Sequence, residues 1–129
     1  DHGTVSRASK IAGREALTIN PRDAHARGIR DGDVVRVWND RGGCLAGAKL
    51  SDGVMPGVVV LPTGAWYDPL VPGESGTLEK HGNPNVLTLD KGTSKLTQGC
   101  VAHTALVQVE KFEGVPPPVT AFDPPAFAT

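Results

Sequence analysis

The sequence predicts an all-β or β-rich domain with many turns, and three observations carry that expectation. Glycine (16) and proline (11) make up about a fifth of the 129 residues. That is well above average usage and favours many short elements. Apolar residues alternate with polar ones over short runs, the pattern of half-buried strands. Only one helix is well signalled, and it is about two turns long. A chain of this length suits one domain with a single core.

The helix lies in "TINPRDAHARGI". Asn20 is a capping residue, Pro21 fits the first helical position, and Asp23 complements the positive end. Gly28 stops the helix as a left-handed cap, and Ile29 should fold back onto its last turn. In "DGDVVRVWNDRGGCLAGAKL", Val35 and Val37 alternate with Arg36 and Trp38 as a strand. "NDRGG" reads as a hairpin loop, and Cys44 to Leu50 as the returning strand. "SDGVMPG" is a further turn, and Val58 to Leu61 reads as a buried strand.

From Thr63 to Asn85 neither strand nor helix period appears, and three prolines and four glycines interrupt the segment. A loop of this length inside a compact domain is often functional. Beyond it, "HGNPNVLTLDKGTS" (residues 81–94) holds a short apolar run, Val86 to Leu89, between two sets of turn formers. Val86 to Leu89 reads as a strand. "SKLTQGCVA" is either a helical turn or a loop. "HTALVQVEK" (103–111) reads as a final strand with Ala105, Val107 and Val109 on one face. The last residues, "GVPPPVTAFDPPAFAT", contain five prolines and so exclude a helix or central strand. The domain is therefore assigned to residues 1–111. Residues 112–129 form an extended arm expected to press against something outside this chain.

Composition limits the function. The 13 basic and 14 acidic residues nearly balance, and no Lys/Arg run is present, which argues against nucleic acid and acidic membrane surfaces. No apolar run approaches the roughly 20 residues of a spanning helix. The start "DHGTVSRASK" has no apolar signal-peptide region and no initiator Met, as expected of a processed chain or an excised fragment. Cys44 and Cys100, the two cysteines, are expected to be free, since neither a disulfide framework nor C-x-x-C is present. Compartment stays open on these grounds, with the cytoplasm as the working expectation and the periplasm as the alternative.

The search for chemistry is largely negative. No two of His2, His25, His81 and His103 sit at metal-ligand spacing. Ser51, Ser75, Ser94 and Cys100 lack a nucleophile motif. Asp33, Asp40, Asp52 and Asp90 sit in turns, where aspartate has structural reasons to occur. No phosphate-binding glycine loop is present.

One run goes further. From Ala24 the chain reads "AHARGIRDGDVVRVWNDRGGCLAGAKLS". It resembles the signature of the dinucleotide-binding domain of the molybdopterin oxidoreductases. The matching residues are Ala24, Gly28, Ile29, Asp31, Asp33, Val35, Val37, Asn39, Gly42, Ala48, Leu50 and Ser51. "GAWYDP" (64–69) and "HGNPNVLTLDKGTS" narrow the resemblance to the S- and N-oxide reductases that use a bis-molybdopterin guanine dinucleotide. These are the dimethyl sulfoxide, trimethylamine N-oxide and biotin sulfoxide reductases, with biotin sulfoxide ranked slightly ahead. The likeness runs from about Ala12 to Lys111.

The resemblance implies a six-stranded double-psi β-barrel with one or two short helices, closing over the cofactor as the C-terminal domain of the parent. Family domains begin with a strand carrying an "RLHSQ"-like motif, which this chain lacks, so that strand is in doubt. It further implies oxygen-atom transfer at molybdenum in the parent. The metal ligand lies in another domain, and no catalytic or metal-binding residue lies in this one. The implied partners are the remaining domains of the same polypeptide and the molybdenum cofactor. The isolated domain is expected to be monomeric, inactive and free of bound cofactor.

Seven residues are implied to face the cofactor. Asn83, Asn85 and Gln98 offer amides that both donate and accept. Tight turns around Gly82 and Pro84 should expose backbone N–H groups. Trp66 supplies a flat apolar wall, His81 a donor toward a phosphate or the pterin, and Asp68 a carboxylate beside Pro69. Each also has a structural reading as a turn or surface residue. Two other functions compete. One is a free-standing double-psi barrel that binds peptides or protein partners, as in the substrate-recognition domains of some ATPases. The signature and "HGNPN" argue against it. The other is a self-processing decarboxylase, which needs a Gly-Ser pair that is absent here.

Overall fold

The computed structural model describes residues 1–101 and 104–127. His103, read from sequence as the start of a strand, lies outside them. The elements are α1 (Thr4–Ala8), β1 (Ala16–Ile19), α2 (Pro21–Ala26), β2 (Val34–Trp38), β3 (Gly43–Leu50), β4 (Val59–Val60), a 3-10 turn (Pro84–Leu87) and β5 (Gln108–Lys111). The strands form one five-stranded sheet in the order β4-β1-β3-β2-β5. The resemblance implied six strands with the first in doubt, and five are found among the described residues.

β3 is the centre. It runs parallel to β1, with Ala16 opposite Gly47, and antiparallel to β2, with Val37 opposite Cys44. Its first six residues are all buried, because each face is covered. Cys44, Ala46 and Ala48 join Leu17, Ile19, Ala24, Ile29, Val35, Val37 and Leu87 in the core. Ile11 and Leu78 lie over the opposite face at Gly47 and Gly43, and the edge of β3 beside Cys44 pairs with the long loop, where the Leu45 N–H donates to the Glu79 carbonyl at 2.8 Å. Gly47 is required by packing, since a Cβ there would come within 2.4 Å of the Ile11 Cβ. The sheet curls into a half-barrel: Val58 and Val59 on one side, and Thr104 to Val107 with Val109 on the other, line a single open groove.

The helix signals are realised. The Asn20 side chain accepts from the Arg22 N–H at 2.9 Å, Pro21 opens α2, and Gly28 has φ +65°. The Ile29 N–H returns to the Ala24 carbonyl at 2.9 Å. No periodicity announces α1, because it buries no residue. β1 is equally silent: four residues with Leu17 and Ile19 inward are too few to establish an alternation.

Several expectations are corrected. Val86 to Leu89 is no strand. Asn83 caps a 3-10 turn at Pro84–Leu87, and the turn-forming "NPN" overrides the apolar run that follows. The strand expected over 58–61 shrinks to Val59–Val60, with Val59 half-buried and Val60 exposed rather than both buried, since it pairs only with β1 at a sheet edge. The final strand expected over 103–111 is Gln108–Lys111, paired with β2; residues 104–107 are described and lie outside it. The proline-rich arm presses on this chain itself. The Arg14 guanidinium donates to the Pro117 carbonyl, and Phe122 packs edge-on against His81 with ring centroids 5.2 Å apart.

Candidate functional site

The segment without periodicity is organised around a buried carboxylate. Charged and polar side chains are rarely buried unless paired, yet Arg14, Asp68, Glu79, Lys80, His81 and Asn83 are all buried, five of them between residues 68 and 83. Glu79 is fully enclosed. One of its oxygens accepts from the N–H of Asp68 at 3.2 Å and of His81 at 2.9 Å. The other accepts from the N–H of Gly82 and of Asn83, both at 2.7 Å. Successive backbone N–H groups of this kind form an anion-binding nest, and here the anion is the chain's own side chain. Burial pushes the Glu79 pKa above the ordinary carboxylate range, and the backbone hydrogen bonds pull against it. Burial and the charge of Glu79 also push the neighbouring Cys44 thiol up to about 12, which leaves it inert as a nucleophile. Gly82 sits at φ +92°, and a Cβ there would lie 2.8 Å from the Glu15 Cβ.

The second knot ties the arm to the loop. The Asp68 carboxylate accepts from the Thr120 N–H and hydroxyl, both at 2.7 Å. Lys80 pairs with Asp68 at 3.3 Å and donates to the Thr120 hydroxyl at 2.9 Å. Burial acts to raise the Asp68 pKa, but the bonds from Thr120 and Lys80 outweigh it and hold the group below its ordinary value.

His81 is fully buried. Its Nδ1 lies 2.8 Å from the Trp66 carbonyl; a carbonyl only accepts, so the proton resides on Nδ1. Nε2 is then a buried lone pair with no partner among the described residues. Burial depresses the His81 pKa, which keeps the ring neutral. Asp1, 3.8 Å from the ring, therefore faces an uncharged imidazole. Trp66 is 48% exposed and stacks on His2 at 5.3 Å with an interplanar angle of 7°.

The loop cluster brings together six of the seven residues singled out from sequence. Asn83 is bound internally: its side chain donates to the Ala65 carbonyl at 2.9 Å and accepts from the Asn85 N–H at 2.9 Å. Asp68 is bound by the arm, and His81 and Gly82 lie beneath the surface. Trp66 and Asn85 stand at the rim, and the Asn85 side chain makes no hydrogen bond among the described residues. Gln98 is not part of this cluster; it is exposed and donates to the Ser94 carbonyl at 3.0 Å in a separate turn. Of the backbone N–H groups expected to be open around Gly82 and Pro84, those of His81, Gly82 and Asn83 are filled by Glu79, and that of Asn85 by the Asn83 side chain.

Glu79 itself carried no sequence signal. A lone glutamate in "TLEKHGN" looks like a solvated one. The supports beneath the turn were half visible as signature residues. The Asn39 amide donates to the Leu87 carbonyl at 2.8 Å, and Arg41 Nε does so at 2.9 Å. A Cβ at Gly42 would meet the Val86 carbonyl oxygen at 2.7 Å. The hairpin loop is thus the cradle of the 84–87 turn.

These features fit a bound flat, hydrogen-bonding group at the rim, with a free amide and an indole that is half-exposed although it stacks on His2 and packs against Phe122. They do not fit an anion in the turn itself. Residues 1–106 match the family described as the Molydopterin dinucleotide binding domain. The chain is also 60% identical over 115 residues to the dimethyl sulfoxide/trimethylamine N-oxide reductase of Cereibacter sphaeroides, covering 89% of this chain and 14% of that protein. It is 57% identical over 117 residues to trimethylamine-N-oxide reductase 1 of Escherichia coli K12, covering 91% and 14%. To the trimethylamine-N-oxide reductase of Vibrio cholerae it is 54% identical over 115 residues, covering 89% and 14%. The chain belongs to the molydopterin dinucleotide binding domain family. It spans about 14% of the length of these relatives, and neither the family nor the relatives support a free-standing peptide-binding barrel.

Proposed function

We propose that this chain is the C-terminal cofactor-binding domain of a molybdenum oxidoreductase that reduces N- and S-oxides, and that its loop cluster is the surface turned toward the pterin dinucleotide. The observation that carries the reading is the rim: Trp66 half-exposed and Asn85 with an unengaged amide, on a loop held rigid from below by Glu79. A pterin presents a planar ring system with an amide-like edge, which an indole face and a carboxamide suit. Tyr67, Leu70 and Val71 are also exposed and would meet the rest of the polypeptide.

In this reading the chain binds and orients. The bound group supplies the oxygen-atom chemistry, in the bis-guanine dinucleotide form that the resemblance implies. Biotin sulfoxide ranked first from sequence; the relatives are named for trimethylamine N-oxide and dimethyl sulfoxide, which favours those substrates. The full-length protein, purified as expressed, should contain molybdenum and pterin and reduce trimethylamine N-oxide with a reduced dye. Replacing Trp66 and Asn85 together by Ala should lower pterin content several-fold. Stoichiometric loading of the double variant would overturn the assignment of this rim.

A further inference from the structure

We propose that Glu79 is a positioning residue for cofactor retention: its carboxylate acts as a built-in anion that fixes the turn carrying Asn85 against the segment carrying Trp66. This rests on the rim reading above. Four N–H groups from two separate stretches, Asp68 on one side and His81, Gly82 and Asn83 on the other, converge on the one side chain. No other side chain among the described residues bonds those four groups. The carboxylate therefore staples the segment after Trp66 to the segment before Asn85. Asn83 repeats the staple through the Ala65 carbonyl, and His81 does so through the Trp66 carbonyl.

The choice of an anion has a consequence. A nest of N–H groups beside Gly82 would otherwise attract phosphate or carboxylate from solvent. With Glu79 in place, that capacity is consumed inside the fold. The dinucleotide's phosphates must then be held elsewhere, and the turn contributes side-chain amide and shape instead. A glutamine at 79 would keep the length and one acceptor oxygen but aim an NH2 at N–H donors, leaving at least one pair of donors unsatisfied.

The test uses the full-length protein with Glu79→Gln, and Val35→Ala as a control lowering stability from the far side of the core. Molybdenum and pterin content, thermal unfolding and amide hydrogen exchange at His81, Gly82 and Asn83 are read on each. Glu79→Gln should raise exchange at those three amides and reduce retained pterin about tenfold, the scale seen when a partner that orients a ligand is lost. Val35→Ala at matched stability should keep its pterin. Equal pterin loss in both variants, or full retention in Glu79→Gln despite faster exchange, overturns the proposal. If Glu79→Gln does not fold, the same readouts are taken on Glu79→Asp, which keeps the charge but withdraws it by about one bond length. In that variant partial pterin loss is expected, and wild-type loading again overturns the proposal. The rim reading fails separately: the Trp66/Asn85 double variant then loads fully, whatever Glu79 does.

Discussion

The sheet and the long loop are equally buried at their centres but are held by opposite means. In β1, β2 and β3 the backbone satisfies itself through ladders, and side chains such as Leu17, Val35 and Ala46 only need to be apolar and fit. Between residues 65 and 83 the backbone forms only isolated bridges, Pro69 with Glu79 and Glu79 with Cys44, and side chains share the backbone's work: Glu79, Asn83 and His81 together bond seven main-chain groups. A ladder tolerates substitution because many residues share a pattern. A polar knot does not, because each group answers to a named partner. The loop should therefore fail at single residues and the sheet by degrees.

The sharpest way to break this comparison is Glu79→Ala. Removing the carboxylate strands four buried N–H groups beside buried Arg14. Loss of one partner from a buried charged network costs about 3–5 kcal/mol. Thermal unfolding should show that loss, with exchange of the Asp68 and Gly82 amides rising more than that of the Ala46 amide. A smaller cost than that of Leu17→Ala would mean the knot is not what orders the loop. Leu17→Ala, a cavity at the core, should cost about 2–5 kcal/mol and raise exchange across β1 and β3 together. The loop should follow only as the whole domain unfolds.

Next in size is the arm. Thr120→Val keeps the shape of the side chain but removes the hydroxyl that bridges Asp68 and Lys80. It should cost about 1–2 kcal/mol and speed proteolysis after residue 112 while leaving the sheet's exchange unchanged. Unaltered proteolysis would show that Phe122 and the Arg14–Pro117 contact hold the arm without it.

Acid offers a titration of the same knot. Asp68 is held below its ordinary value, so the folded state binds fewer protons than the unfolded one through that window. Its contribution is present above the unfolded value of about 3.9 and lost as pH falls through the lower folded value. An NMR titration should place the Asp68 midpoint below about 3.9, and Thr120→Val should move it up. His81 acts in a higher window. Its folded pKa is depressed, so below about 6.5 the unfolded chain binds more protons and stability rises with pH up to that value. Replacing His81 with Gln should flatten that slope.

The same contrast explains what could be read from sequence. α2 was legible because Asn20, Pro21 and Gly28 act locally, and the β2–β3 hairpin because Val35 and Val37 alternate. The signature residues Asn39 and Gly42 were visible, but their task was not, since Leu87 and Val86 lie more than forty residues away. Val86 to Leu89 looked like a strand because apolar runs carry no record of the capping asparagine before them. Glu79 was invisible because its four partners are main-chain groups, which have no letters. Trp66, singled out as a flat wall, and Asn85, singled out as an amide, stand at the surface; His81, Gly82, Asn83 and Asp68 were singled out with them and lie beneath it, bonded inward.

The smallest effect separates the two turns that flank residues 86–89. Gln98 sits in an exposed turn already closed by the Thr93 hydroxyl on the Thr97 carbonyl at 2.8 Å and the Thr97 N–H on the Ser94 hydroxyl at 2.8 Å. Its own bond to Ser94 adds a single solvent-exposed contact. Gln98→Ala should therefore change stability by less than about 0.5 kcal/mol and leave exchange at residues 81–83 untouched. Pterin content of the full-length variant then decides what stability cannot. If retention falls while unfolding is unchanged, the loop after the 3-10 turn reaches the bound group with a side chain free to do so. If retention is also unchanged, recognition on this side rests with Trp66 and Asn85 alone, on the turn whose charge lies beneath it.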